Sequence, residues 1–266
     1  MTQISIDRDG PVLIATIANP PDGFMDEETE TELAALLDTV EMDESIRAVV
    51  LTGGLPGVFI RHYDVRVLAE RGQAMAERGM TFGLARPVPE RPYHAVLRRI
   101  ETVGRPFVAA LNGIAMGGGF ELTLACDFCL AAAGDYRLGL PEINTGLLPG
   151  AGGTQRLARL IGEGKTLELI LAGRTVGPEE AARLGMVSEC VSGDLMERAL
   201  DRARILAGKP RRGAAHIKRL VRGATARPLD DGLADERTLF CDLVVDAKTL
   251  DRMAEMNAGR RAITDE

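Results

Sequence analysis

Three consecutive glycines, Gly117-Gly118-Gly119, open a short apolar stretch that carries one acid, Glu121. A second acid, Glu142, lies in the nearly apolar run Leu140-Pro141-Glu142-Ile143. Glycines directly before a helix leave backbone N–H groups exposed at its positive end. Amides held there can stabilise a developing oxyanion without any side chain, and glycine lets a ligand approach the main chain closely. A tight strand-to-helix turn accounts for three glycines equally well, and an acid in a first helical turn can be a solvated partner of the dipole. Together, though, two carboxylates in apolar surroundings beside an oxyanion site can divide acid and base roles in a proton transfer.

Other residues with reactive side chains form no comparable group. Cys126 and Cys129 make a C-x-x-C, but the run from Asp127 to Ala131 reads as a buried strand. Side chains three apart on a strand face opposite ways, so the pair cannot grip one ion, and no metal site is expected. The histidines His62, His94 and His216 are scattered without ligand spacing. From Arg202 to Arg227 there are nine Lys/Arg and no acid, with Arg211, Lys218 and Arg222 on one helical face. That face is either solvated surface or a seat for a phosphorylated ligand.

The elements that position these residues follow from periodicity. Alternating stretches at Ile4–Asp7 and Val12–Ile17 read as paired strands, and a helix begins near Asp26 with Leu33, Leu36, Leu37 and Val40 on one side. Arg47–Thr52 and Phe107–Leu111 read as buried strands, the second closed by Asn112-Gly113. Between them the pattern from Val65 to Thr102 is mostly helical, interrupted by Pro87, Pro89 and Pro92. The glycines then lead into a helix ending near Cys126 and a third strand ending near Ala132. After Gly152 the chain reads as helical, with one short strand near Met186–Val191 and Pro210 at the first position of a helix. Alternation of strand, helix and strand predicts an α/β fold with a parallel sheet. The 266 residues are 45% hydrophobic and 27% charged, a composition with ample material for a core. A net charge of −7 argues against a dedicated nucleic-acid binder, and no apolar run approaches the ~20 residues that span a bilayer. With no signal-peptide pattern, a soluble cytoplasmic protein is expected.

The run Val108-Ala109-Ala110-Leu111-Asn112-Gly113-Ile114-Ala115-Met116-Gly117-Gly118-Gly119-Phe120-Glu121-Leu122 resembles the signature of the crotonase superfamily, the enoyl-CoA hydratases and isomerases. So do Leu138-Gly139-Leu140-Pro141-Glu142-Ile143 and the run from Gly146 to Leu157, and the resemblance extends from about residue 11 to residue 192. It implies a spiral of ββα units over residues 1–195, and a helical C-terminal trimerisation region over 196–266. It also implies a CoA thioester as substrate, no further cofactor, and a homotrimer or dimer of trimers.

Carried onto this chain, the resemblance implies an oxyanion hole made by the N–H groups of Gly118 and Tyr63. Tyr63 stands in Arg61-His62-Tyr63-Asp64-Val65, where the family typically reads Ala-Gly-Ala-Asp-Leu. Histidine is among the residues that tolerate positive φ, so His62 can replace the glycine. Glu121 and Glu142 match the two glutamates that hydratases set around one water. Met25, Arg61, His62, Asp64 and Gly117 are the expected substrate contacts, and the acid-free basic face makes Lys218, with Arg211 or Arg222, the expected ligand of the CoA phosphates. The expected reaction is syn addition of water to a 2-enoyl-CoA, or its reverse. Double-bond isomerisation or hydrolysis of an acyl-CoA is the alternative within the superfamily, and an RNA-binding relative the alternative outside enzymes.

Overall fold

The computed structural model describes residues 2–264. The hairpin β1 (Ile4–Asp9) and β2 (Val12–Ile17) leads into helix α1 (Glu27–Met42), which Asp26 caps by accepting from the amides of Glu28 and Thr29. From there a unit repeats. One strand joins a first sheet, a short strand joins a second sheet, and a helix closes the turn. The first unit is β3 (Ala48–Gly53), β4 (Gly57–Ile60), then α2 (Val65–Glu77) and α3 (Pro92–Thr102). The second is β5 (Phe107–Leu111), β6 (Gly113–Met116) and α4 (Gly118–Ala125). The third is β7 (Phe128–Ala132), β8 (Leu138–Gly139), a 3₁₀ turn (Glu142–Thr145) and α5 (Gly153–Ile161). Helix α6 (Glu163–Leu171), β9 (Thr175–Val176), α7 (Pro178–Leu184) and β10 (Glu189–Val191) complete the sheets, in orders β1-β2-β3-β5-β7-β10 and β4-β6-β8-β9. This is the expected spiral of ββα units.

Strands β3 and β5 are apolar apart from Thr52, whose hydroxyl donates to the Ala110 carbonyl, because both their faces are covered. Alternation divides them: Val49, Leu51, Phe107 and Ala109 face the main core, while Ala48, Val50, Val108 and Ala110 face outward. Helix α8 (Leu195–Gly208) covers that outer face with Ala199, Ala203 and Ala207, whose four-residue spacing puts three small side chains on one stripe. Helices α9 (Arg211–Gly223), α10 (Leu229–Val244) and α11 (Ala247–Asn257) follow, and none of them has a buried residue. Hence α8 belongs to the packing of the sheet, and the chain leaves the core after it.

The strands of the second sheet are too short to produce a readable period, and only β10 lies where a strand was expected after Gly152. Asn112-Gly113 closes β5 as expected, and it is also the crossing from one sheet to the other, since β6 begins at Gly113. The Asn112 amide donates to the carbonyls of Gly53 and Leu55, both at 3.1 Å, clamping two crossings together. A Cβ on Gly113 would overlap the Gly57 backbone, so glycine is required there by close approach. Between α2 and α3, residues 78–91 form no helix, as the prolines demand. Pro210 is the N-cap of α9, one residue ahead of its expected place. His62 does not have positive φ; among the described residues only glycines do. Cys126 and Cys129 are buried and unpaired, and no cluster of metal-ligating side chains occurs among the described residues.

Candidate active site

Helix α4 begins at Gly118, after Gly117 at φ 50°, a left-handed value that suits glycine. As the first residue of its helix, Gly118 has an N–H with no intrahelical acceptor. The loop after β4 runs beside it. There the Met25 amide donates to the His62 carbonyl at 2.9 Å and the Asp64 amide to the Met25 carbonyl at 2.7 Å, so the intervening Tyr63 N–H faces the other way. A Cβ placed on Gly118 would lie 3.7 Å from the Tyr63 nitrogen and 2.9 Å from the Met25 methyl. The two amides are therefore neighbours in a space that admits no side chain at 118. Neither donates to a protein acceptor, as an oxyanion hole requires. The Tyr93 hydroxyl, buried on α3, fixes this helix start by donating to the Gly118 carbonyl at 2.6 Å.

Three large residues at 61–63 stand where small ones were expected, but each is drawn away by its own partner. The Arg61 Nε donates to the Asp22 carbonyl at 2.8 Å. The His62 ring lies against Phe24 with centroids 4.6 Å apart. The Tyr63 hydroxyl donates to Glu30 Oε1 at 2.7 Å, and burial together with that carboxylate pushes the phenol well above its usual range.

Glu121, one turn into α4, is 2% exposed. Its Oε1 accepts from the amides of Ala151 and Gly153, both at 2.7 Å. Burial, the largest effect, pushes its pKa above the usual carboxylate range, and those two N–H groups and the Arg156 charge offset only part of that rise. Glu142 opens the 3₁₀ turn, and its Oε1 would lie 3.2 Å from a Cβ on Gly117. Its Oε2 is buried without a partner. Burial first, and the Glu121 charge in addition, push Glu142 up to about 7. The two carboxyls share one site but differ in environment: one is cradled by amides, the other is left dry.

Gly117, Gly118, Tyr63, His62, Met25, Glu121 and Glu142 thus converge. The Met25 side chain is fully buried beneath Gly118, and Asp64 caps α2 while pairing with Arg66 at 2.7 Å. Lys218 does not join them. Its ammonium donates to the Ile100 carbonyl at 2.7 Å, the Arg105 carbonyl at 3.0 Å and Asp127 at 2.7 Å, beyond the far end of α4. Three acceptors exhaust its three hydrogens, so none is left for a phosphate. Arg222 beside it donates to the carbonyls of Ala125 and Cys126, and Arg211 pairs with Glu44 at 3.1 Å. The acid-free face of α9 is matched by acids and carbonyls of the core. Sequence reasoning missed Tyr93, Arg156 and the amides of Ala151 and Gly153. The glycine-rich run at 150–153 was the one visible signal.

Known proteins share this arrangement of chain. A family model described as enoyl-CoA hydratase/isomerase matches residues 7–257. A probable enoyl-CoA hydratase of Bacillus subtilis (strain 168) is 36% identical over 220 residues, 79% of this chain and 76% of that protein. The 2,3-dehydroadipyl-CoA hydratase of Escherichia coli (strain K12) is 32% identical over 260 residues, 97% of this chain and 95% of that one. The crystal structure of an enoyl-CoA hydratase from Bacillus anthracis has a TM-score of 0.85 at 29% identity, covering 97% of each chain. With its motifs, its spiral and its full-length relatives in agreement, the chain belongs to the enoyl-CoA hydratase/isomerase family of the crotonase superfamily.

Proposed function

We propose that the protein is an enoyl-CoA hydratase that adds water across the 2,3 double bond of an enoyl-CoA, or removes it. The observation that carries this is the unequal pair: Glu121 Oε1 is gripped by two amides, whereas Glu142 Oε2 is buried without a partner and burial pushes that carboxyl up to about 7. The thioester carbonyl accepts from the N–H groups of Tyr63 and Gly118, which stabilise the enolate oxygen as charge develops. Glu121 takes a proton from water while the water oxygen bonds to Cβ. The Cα=Cβ π bond breaks as that bond forms, its electron pair passes into the enolate, and Glu142 delivers its proton to Cα. Glu121 ends protonated and Glu142 ionised, and proton exchange with solvent restores both. CoA enters as part of the substrate, and the chemistry calls for no other cofactor.

An isomerase needs one carboxylate to move a proton between carbons. A second, amide-held carboxylate fits the activation of water better. The test is a panel of enoyl-CoA thioesters, one of them with a carboxylated acyl end. Disappearance of the conjugated thioester absorbance with a product heavier by one water supports the proposal. A moved double bond at unchanged mass, or release of free CoA, overturns it in favour of isomerisation or hydrolysis.

The reading extends to assembly as a homotrimer or dimer of trimers. Apolar side chains stand exposed on every C-terminal helix, among them Val221, Leu229, Phe240 and Leu250. A cleft of about 860 Å³ beneath α9 is lined by Leu124, Leu160, Met186, Val187 and Ile217. Exposed apolar area of this kind marks contact surfaces. The basic residues that motivated an RNA-binding reading are mostly paired within the chain, which favours the enzyme. Among the described residues no helix is long and apolar enough to cross a membrane.

A further inference from the structure

Near the glutamates one more polar atom lacks a partner. The Nδ1 of His94 is buried without a hydrogen bond, a condition shared among the described residues only with Glu142 Oε2. His94 lies in the first turn of α3, and its other ring nitrogen, Nε2, is 2.8 Å from the Gly150 carbonyl oxygen. A carbonyl oxygen only accepts, so Nε2 bears the hydrogen and in the neutral ring Nδ1 is a bare lone pair.

The Gly150 carbonyl belongs to the same planar peptide unit as the Ala151 N–H. That N–H donates to Glu121 Oε1 at 2.7 Å. In a trans peptide the two groups point opposite ways, so His94 and Glu121 hold one rigid plate from its two sides. The adjacent plate is fixed as well. The Ala151 carbonyl accepts from Arg156 Nη1 at 2.7 Å, and Arg156 forms a two-point pair with Glu101 at 2.7 and 2.8 Å. Glycines at 150, 152 and 153 supply no side chain that could anchor this loop. Its orientation depends on what grips its carbonyls.

We propose that His94 is a positioning residue for hydration: through the Gly150–Ala151 peptide it orients and strengthens the amide that holds Glu121. The inference rests on the reading of Glu121 as the base. Donation into a carbonyl polarises the peptide and makes its N–H a better donor, by about 10–30% per bond along such a chain. Without His94 the plate can turn, and one of the two amides on Glu121 weakens. Both effects misplace the base and make it easier to protonate. The other titratable or charged groups around Glu121 are Arg156 of α5, Glu142 of the 3₁₀ turn and Tyr93 of α3, with Glu90 ahead of α3 near His94. A neutral replacement of His94 leaves all of them in place.

The test compares His94→Phe, which keeps a ring and removes the donor, with His94→Gln, which keeps an N–H donor, in the full chain. Glu121→Gln serves as the benchmark. The Phe variant should lose kcat on the order of 10–100-fold, the scale of a misplaced catalytic group. Its KM should stay within about two-fold, because uniform substrate binding is untouched. The low-pH limb of its kcat profile should move to higher pH, and Gln should restore most of both losses. If the Phe variant does not fold, His94→Met supplies the same comparison. A donor-free variant with full kcat and an unmoved low-pH limb overturns the inference, as does a loss that Gln fails to restore. Full turnover by Glu121→Gln instead overturns the reading of Glu121 as the base, whatever the His94 variants do.

Discussion

A carboxyl that is useful as an acid at neutral pH is a carboxyl the fold would rather keep neutral. Glu142 is pushed from the ordinary range up to about 7, and an unfolded chain returns it to about 4.5. The folded state therefore holds its proton more tightly. Stability declines as pH rises from about 4.5 to 7 and stays lower above that, by at most ~3 kcal/mol from this group. Glu142→Gln removes that cost. Its melting temperature should match the parent near pH 4 and exceed it at pH 8, while kcat falls roughly 10²–10⁴-fold, the usual scale of acid–base catalysis. In the parent, the hydration rate should fall as pH passes upward through about 7 and Glu142 loses its proton. Melting curves and kcat at several pH values check both signs. Glu142 stood out as a candidate in the sequence because an acid lay in an apolar run. Its missing partner did not, since a lone Oε2 depends on where β6 and the 3₁₀ turn meet.

Helix α4 is only eight residues long and works at both ends. Its N-terminus offers the Gly118 amide, and its C-terminal carbonyls accept from the Arg222 guanidinium, a cation where the dipole favours one. Asp127, just beyond, accepts from the Phe107 amide and from Lys218, tying α9 to the starts of β5 and β7. Lys218 therefore acts in packing. Lys218→Met should leave KM for the CoA ester unchanged and lower unfolding stability, by less than the ~3–5 kcal/mol of a buried charge left alone, because Arg222 and the Phe107 amide still hold Asp127. Steady-state kinetics beside denaturant unfolding separate this from a phosphate contact. The long strands and amphipathic helices could be read from their periods, and the motif glycines from their clustering. The two-residue strands β8 and β9 have no period to read. The basic stripe of α9 looked like a ligand site because its acids lie far away in sequence, in the turn after α1, on α3 and at the α4–β7 junction.

At the scale of the whole molecule, two kinds of surface meet. The spiral buries its apolar residues inside, whereas α9 to α11 leave theirs outside. Phe240 is 66% exposed and Val221 67%, values more typical of half an interface than of finished surface. A double replacement, Val221→Glu with Phe240→Glu, should shift the mass measured by light scattering from an oligomer toward the monomer. The spiral should keep its circular dichroism, because neither side chain contributes to the buried core. A parent that is already monomeric at micromolar concentration would remove the basis for assembly through these helices.

The Tyr63 side chain turns toward Glu30 while its backbone N–H turns toward the substrate space. A donor made of main chain is encoded by no codon. Residue 63 can be rewritten freely and the donor persists. Among the coded amino acids only proline deletes it. Tyr63→Ala should keep kcat within about ten-fold, whereas Tyr63→Pro should cost on the order of 10²–10³ in kcat, the value of one oxyanion-hole donor. Turnover measured on variants matched for folding by circular dichroism distinguishes them. In such a design the part most needed for the reaction is the part least exposed to mutation, and the surrounding side chains are left free to diverge with the substrate.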